Sequence, residues 1–491
     1  MARRPPAAPA PRRFPFRPPP GMTATPAIAS TLLADCVTVT DGHLAVTRPE
    51  LLATERMDAV AWAAVFGESD EKEYARWLLW EVGQAVGVRC ASIHDLYIAR
   101  GRGECGGFTV PAINVRASTY LTARSIFRTA NRLDAGAFIL EIARSEIAYT
   151  EQRPAEYVAV LIAAALREGF RGPLFIQGDH FQVNAKKYAA NPGPEVDAVK
   201  QLVTEAVAAG FYNVDVDTST LVDLSKPTLD EQQAPNYTVA VDICRFVRST
   251  EPQGVTISLG GEIGEVGTEN STPEELHAFM QGFTRVLAEQ APGMAGLSKI
   301  SVQSGTSHGG VVLADGSIAD VALDLETLRT LGEIARTDYG MAGAVQHGAS
   351  TLPDTAFGNF PRTETAEIHL ATNFQNIMFD HLPTEMTSEI TAWLHENAKD
   401  ERKATDTDAQ FIYKTRKKAI GPFKKRMWTL PADVQAKLAA AYDAKFGFLF
   451  EQLGVAGTKP VVTKFVKPIR LQRVLGAPGV AAAPDDADLS D

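Results

Sequence analysis

The sequence predicts an α/β protein whose main body is a closed (β/α)8 TIM barrel. Three observations predict it. Between residues 108 and 371, eight short runs rich in apolar residues alternate with helical stretches, the order that parallel strands with helical crossovers require. Eight is the number that closes a barrel rather than leaving an open doubly wound sheet. No Gly-x-Gly-x-x-Gly follows the first run, so the signature of a dinucleotide-binding sheet is missing.

The elements follow in order. Residues 51–88 are helical in pattern, with a polar, charged stretch at 68–73. Strand 1 is expected at 108–115, then a helix at 118–133, strand 2 at 137–142 and a helix at 154–168. Strand 3 is expected at 174–177, a helix at 195–209, strand 4 at 213–216 and a helix at 230–249. Strand 5 at 255–259 precedes a helix at 273–289, and strand 6 at 299–303 precedes a helix at 323–336. Strands 7 and 8 are expected at 344–346 and 368–371. The barrel domain is placed at 108–400, between an N-terminal helical extension (28–107) and a C-terminal helical region (401–470).

Composition narrows the function. The 491-residue chain is 45% hydrophobic and 22% charged, which is ordinary globular composition with ample material for a core. Apolar runs such as 158–166 are too short to span a bilayer, so no membrane partner is expected. A net charge of −11 argues against a nucleic-acid partner. Four scattered cysteines (Cys36, Cys90, Cys105, Cys244) form no CxxC pair, which suggests a reducing compartment and a cytoplasmic protein. Residues 1–27 carry five arginines among nine prolines and lack the continuous apolar stretch of a secretory signal. They are expected to be a disordered Pro/Arg-rich tail, or upstream sequence read through from a start at Met22. Residues 471–491 are expected to be a disordered acidic tail, Ala/Pro/Asp-rich from Gly476 onward.

In such barrels chemistry lies at the C-terminal ends of the strands. Four of the nine histidines, His180, His308, His347 and His369, fall at expected strand ends. A single histidine is usually structural, but three at one rim, with one open coordination position, make a catalytic zinc site. Glu262, after strand 5, is a further ligand candidate. Asp179 precedes His180 at the end of an apolar strand, where a turn lets both side chains line one pocket. Gly309, Gly348 and Ser350, and Thr372 and Asn373 after strand 8, can present backbone N–H groups and hydroxyls to a phosphate. Each motif also reads as an ordinary turn, and the coincidence with the histidines gives them weight.

Taken together, Pro111-Ala112-Ile113-Asn114-Val115, Gly178-Asp179-His180, Gly261-Glu262-Ile263-Gly264, Gly305-Thr306-Ser307-His308-Gly309, His347-Gly348-Ala349-Ser350 and Ala371-Thr372-Asn373 resemble the class II, zinc-dependent fructose-bisphosphate aldolases and related ketose-bisphosphate aldolases. The likeness covers roughly 108–375, with an echo near Arg416. It implies that His180, His308 and His347 bind the metal with Glu262 as an auxiliary ligand. It implies that Asp179 is the acid/base at the cleaved bond and that Glu269, on a loop, exchanges the proton on the carbanion half. Asn114, Asp217, Gly309, Gly348, Ser350, His369, Thr372 and Asn373 would contact substrate or its phosphate, and Arg416 a second phosphate, often in a neighbouring subunit. The implied cofactor is Zn2+ or another divalent metal, with a monovalent cation as a further candidate. The implied substrate is a small phosphorylated sugar, by default fructose 1,6-bisphosphate, and the implied assembly a homo-oligomer, dimer or tetramer. Cleaving a ketose leaves a carbanion beside a carbonyl, which a Lewis acid stabilises without a Schiff-base lysine.

Two positions depart from the family pattern. His369 stands where the family has an asparagine, and Phe181 follows the first ligand where a small residue is usual, which should narrow the pocket. These departures favour an alternative, a non-catalytic aldolase-like subunit, or an aldolase for another ketose phosphate. A barrel metallohydrolase would take ligands from a His-x-His on the first strand, where this chain offers only Asn114.

Overall fold

The computed structural model describes residues 31–40, 43–264, 269–305, 323–476 and 480–485. Its centre is the expected barrel. The strands are β1 (Val110–Asn114), β2 (Ile139–Ala143), β3 (Gly172–Gln182), β4 (Asn213–Asp217), β5 (Ser258–Glu262), β6 (Lys299–Val302), β7 (Ala344–Gln346) and β8 (Glu367–Leu370). Every neighbouring pair is parallel, and β8 returns to β1 through the register His369↔Ala112, closing the ring. Strands buried on both faces explain the apolar runs seen in the sequence.

Two strands differ from expectation for a physical reason. β5 begins three residues later than predicted and runs through Gly260 and Gly261, past the expected strand end at 259. A Cβ on Gly260 would lie 2.2 Å from Asp215 Oδ1 and 2.8 Å from Lys299 Cε. Glycine is there because its neighbours fill the barrel interior. β3 is 11 residues long and continues past Gly178-Asp179-His180, which the sequence places at a strand end.

The N-terminal extension is not purely helical. Val37–Thr40 and His43–Val46 pair as an antiparallel ribbon before the helices Arg56–Phe66 and Ser69–Val86. The second helix stops at Gly87, whose φ of 83° suits a glycine terminus, and the chain turns into strand Val88–Ala91. That strand adds in parallel to the first half of β3, with Val88 opposite Gly172 and Ala91 opposite Phe175. Its four residues are too short a signal to separate from the preceding helix without the partner strand.

After β8, helices Thr372–Asp380 and Thr384–Asn397 lead to Ala432–Gln452, which folds back over the first βα unit. Tyr442 donates to the Phe374 carbonyl, and Arg128 pairs with Asp443. The main hydrophobic cluster runs from Leu33 to Ala483, and a smaller one gathers Ile93, Tyr97, Val110 and Ile139.

The described part of the expected acidic tail is docked rather than loose. The indoles of Trp77 and Trp80 donate to the carbonyls of Arg473 and Leu471, and the Arg473 guanidinium stands 3.4 Å above the Trp80 ring. Ala483 is buried and donates its N–H to Glu205. The expectations for residues 1–27, including a start at Met22, lie outside the described residues. No described helix is long and apolar enough to cross a membrane.

Candidate active site

The site is built on an irregularity in β3. Gly178 pairs with Val214 of β4, but the next register pair is Phe181 with Val216. Two residues, Asp179 and His180, therefore oppose Asp215 alone, which is a β-bulge. In a regular strand neighbours point to opposite faces, so Asp179 inward would mean His180 outward. The bulge, with His180 at a left-handed φ of 39°, turns the imidazole inward as well. A bulge, not a strand-ending turn, thus brings both side chains to one cavity.

Phe181 does not narrow that cavity. It is fully buried, and a Cβ on Gly178 would meet its ring at 2.4 Å. Since Gln177 and Asp179 face the interior, Gly178 and the ring packed on it face the outer layer of the barrel.

His180 Nδ1 lies 3.1 Å from Asp217 Oδ2 and 3.7 Å from Glu262 Oε2. Asp217 is fixed by the Ser219 N–H and hydroxyl and by the Gln182 amide. Burial alone would raise its pKa, but hydrogen bonds from His180, Ser219 and Gln182 hold it below the usual carboxylate value. His347, just beyond β7, places its ring 4.4 Å from that of His180, with Nε2 2.9 Å from Ser301 Oγ. His180, Glu262 and His347 each offer a ligand atom within one 4.8 Å cluster. Burial, then repulsion from Asp217, push the Glu262 carboxyl up to about 8. Two imidazoles and a crowded carboxylate suit a borderline divalent cation such as zinc, whose charge would relieve that crowding. His308 and Gly309 lie outside the described residues.

Beneath this cluster the barrel interior is ionic. His369, on β8, is 5% exposed and touches carboxylates from four strands. Its ring is 4.0 Å from that of His347, so Asp179, His347 and His369 form a second ligand-capable group, and Asp215, Glu367 and His369 a third. Lys299, buried at the start of β6, holds Asp215 at 2.8 Å, bonds Gln177 at 2.8 Å and pairs with Glu367. Burial disfavours its charge, but Asp215 and Glu367 keep the ammonium well above its ordinary pKa. A lysine held so firmly protonated is no Schiff-base nucleophile. Glu141 is pushed up to about 7, first by burial and then by Asp179, while Glu367 is held down to about 2 because Lys299 and His369 outweigh burial.

The sequence assigns no role to Glu141, Lys299 or Glu367. A signal existed: Glu367-x-His369, Asp215-x-Asp217 and Lys299-x-Ser301 alternate polar residues with apolar ones, the period of a strand with one polar face.

The remaining expected residues surround the rim. The Asn114 amide donates to Glu146, which pairs with Arg116. Gly348 has a φ of 67°, and Ser350 Oγ accepts the Ala371 N–H at 2.6 Å, tying the loop after β7 to the end of β8. Thr372 and Asn373 open helix Thr372–Asp380 and are half-buried. Arg416 bonds Asn376 and stacks on Phe379 of that same helix and on Tyr413, so within this chain it buttresses the helix whose N-terminus faces the rim. Glu269 is exposed, and no described contact joins it to the cluster.

Imidazoles and carboxylates converging at the C-terminal mouth of a closed parallel barrel define a (β/α)8 protein with a metal-type site. The family description "Fructose-bisphosphate aldolase class-II" matches residues 102–426, about two thirds of the sequence. The chain belongs to that family. No curated protein matches it. Among solved structures it is similar to a glycerol-complexed fructuronate-tagaturonate epimerase UxaE from Cohnella laeviribosi (12% identity, 86% of this chain and 90% of that one, TM-score 0.54). It is also similar to the fructose-bisphosphate aldolase of Campylobacter jejuni (15% identity, 75% and 97%, TM-score 0.46). The YdjI aldolase of Escherichia coli K12 stands at 12% identity, 75% and 99% coverage and a TM-score of 0.45. At these identities the likeness is one of fold.

Proposed function

We propose that this chain is a divalent-metal-dependent aldolase that cleaves or forms a phosphorylated ketose, by default fructose 1,6-bisphosphate, giving dihydroxyacetone phosphate and glyceraldehyde 3-phosphate. The observation that carries the reading is the bulge in β3, which sets Asp179 beside His180 while His347 and Glu262 close on the same point. His180, His347, Glu262 and, from the family resemblance, His308 would hold the metal, by preference Zn2+. A bound divalent ion supplies a Lewis acid for the ketose carbonyl.

The chain's own groups do the rest. Asp217 fixes the His180 ring through Nδ1. Asp179 takes the proton of the hydroxyl at the carbon–carbon bond that breaks, and the bonding electrons pass toward the carbonyl. Glu269 returns a proton to the carbanion carbon. Gly309, Gly348, Ser350, Thr372 and Asn373 bind the phosphate of that half through N–H groups and hydroxyls at a helix start. Asn114 lines the sugar, His369 stands behind Asp179 rather than against the substrate, and Arg416 meets the second phosphate in a homo-oligomer. A monovalent cation is a further cofactor candidate. A cytoplasmic location agrees with four free thiols.

Zinc content and a screen of ketose phosphates test this reading. About one metal per chain is expected, with chelation abolishing triose phosphate release and Asp179→Ala abolishing it with the metal retained. Full activity in Asp179→Ala would remove that residue as the acid/base. A pure protein that binds no metal and cleaves no ketose phosphate would be an aldolase-like subunit instead.

A further inference from the structure

We propose that His369 is the positioning residue for Asp179, a hydrogen-bonding strut rather than a metal ligand; this rests on the aldolase reading above. Nδ1 of His369 lies 3.1 Å from Asp179 Oδ1 and 3.2 Å from Glu141 Oε2. On the other side of the ring, Nε2 lies 2.8 Å from Glu367 Oε1. A histidine that binds a metal must turn a nitrogen lone pair toward it. Here Nδ1 is hydrogen-bonded to Asp179, and Nε2 faces the Glu367 carboxylate at ion-pair distance without a hydrogen bond of its own, although His347 stands only one ring contact away.

The strut is anchored from below. Glu367 is itself held by Lys299, by the Tyr97 hydroxyl and by the Gln177 amide at 3.0 Å. A ring hydrogen-bonded to Asp179 through Nδ1 and set against the Glu367 carboxylate on its other side cannot swing without breaking a buried contact, so it fixes the Asp179 carboxylate before substrate arrives. Proton transfer depends on that placement, since a donor or acceptor must stand within hydrogen-bond reach of the moving proton. An asparagine is too short to reach both Asp179 and Glu367. Its replacement by histidine couples the acid/base to the ionic floor of the barrel.

The test compares wild type, His369→Asn, Asp179→Ala and the double variant. It measures cleavage of fructose 1,6-bisphosphate, solvent hydrogen exchange into dihydroxyacetone phosphate, zinc content and the absorption spectrum of the cobalt-loaded protein. Exchange needs the carbanion half and not Asp179. His369→Asn should keep its zinc, its cobalt spectrum and its exchange rate, hold KM within about twofold, and lose roughly 100-fold in kcat for cleavage. In the Asp179→Ala background the same change should cost less than about threefold, because residues acting as one unit are not additive. If His369→Asn does not fold, Glu141→Gln, which loosens one anchor and leaves the ring, must show the same split between cleavage and exchange. A changed cobalt spectrum or lost zinc would make His369 a ligand and overturn the proposal. An unchanged kcat, equal losses in cleavage and exchange, or fully additive losses would overturn it too. A wild-type protein that neither cleaves nor exchanges would instead refute the aldolase reading, and the role of His369 with it.

Discussion

The ring of Phe181 occupies the space in which a side chain on Gly178 would have to stand, with a closest approach of 2.4 Å to a Cβ built there. These two residues bracket the bulge that presents Asp179 and His180, so their packing sets the catalytic register. Gly178→Ala should force the ring or the strand to move, at a cost of about 1–3 kcal/mol. Metal affinity and any activity should fall with it. Adding Phe181→Leu should recover part of both. Chemical denaturation and metal titration of the three proteins check this; a Gly178→Ala protein with wild-type stability and metal affinity would show that the bulge is fixed by something else.

Lys299 is the buried cation that balances Asp215 and Glu367. Lys299→Met fills similar volume but leaves two carboxylates facing each other across the barrel. A loss of about 3–5 kcal/mol is expected, the usual consequence of removing one partner of a buried pair. Glu367→Gln in the same chain should return part of it. The measurement is denaturant unfolding of the single and double variants, and equal stability of Lys299→Met and wild type would contradict the pairing.

His94 governs an acid limit. Burial, then the charge of Arg248, push its ring down to about 4 from an ordinary 6.5, and Nδ1 has no hydrogen-bond partner among the described residues. Between those two values the unfolded chain binds a proton that the folded protein refuses. Stability from this group is therefore complete above pH 6.5, falls as pH drops toward 4 and levels off below. The loss is at most about 3 kcal/mol. His94→Asn should flatten the stability profile across that window, and an unchanged slope would mean that another group sets it.

The docked C-terminal segment is a stability element. Arg473 caps the Trp80 ring, and one of its Nη atoms donates to the carbonyls of Ala208 and Ala209. Arg473→Ala should lower stability by about 1–3 kcal/mol and shift tryptophan emission to longer wavelength as water reaches the indole. Unchanged emission would argue that the segment does not cover Trp80 in solution.

The sequence by itself determined the barrel, because alternation of short apolar runs with helical stretches is a local property of the chain. It also marked His180, Glu262 and His347, since glycines and charges at the ends of apolar runs are visible in one dimension. It could not show the bulge, because register exists only between β3 and β4. It could not show strand Val88–Ala91, which needs the edge of β3 to become a strand at all. Nor could it join Glu141, Asp215, Lys299, Glu367 and His369, which come from four strands. A buried charge is tolerable only beside its partner, and which charges become partners is decided when the ring of strands closes.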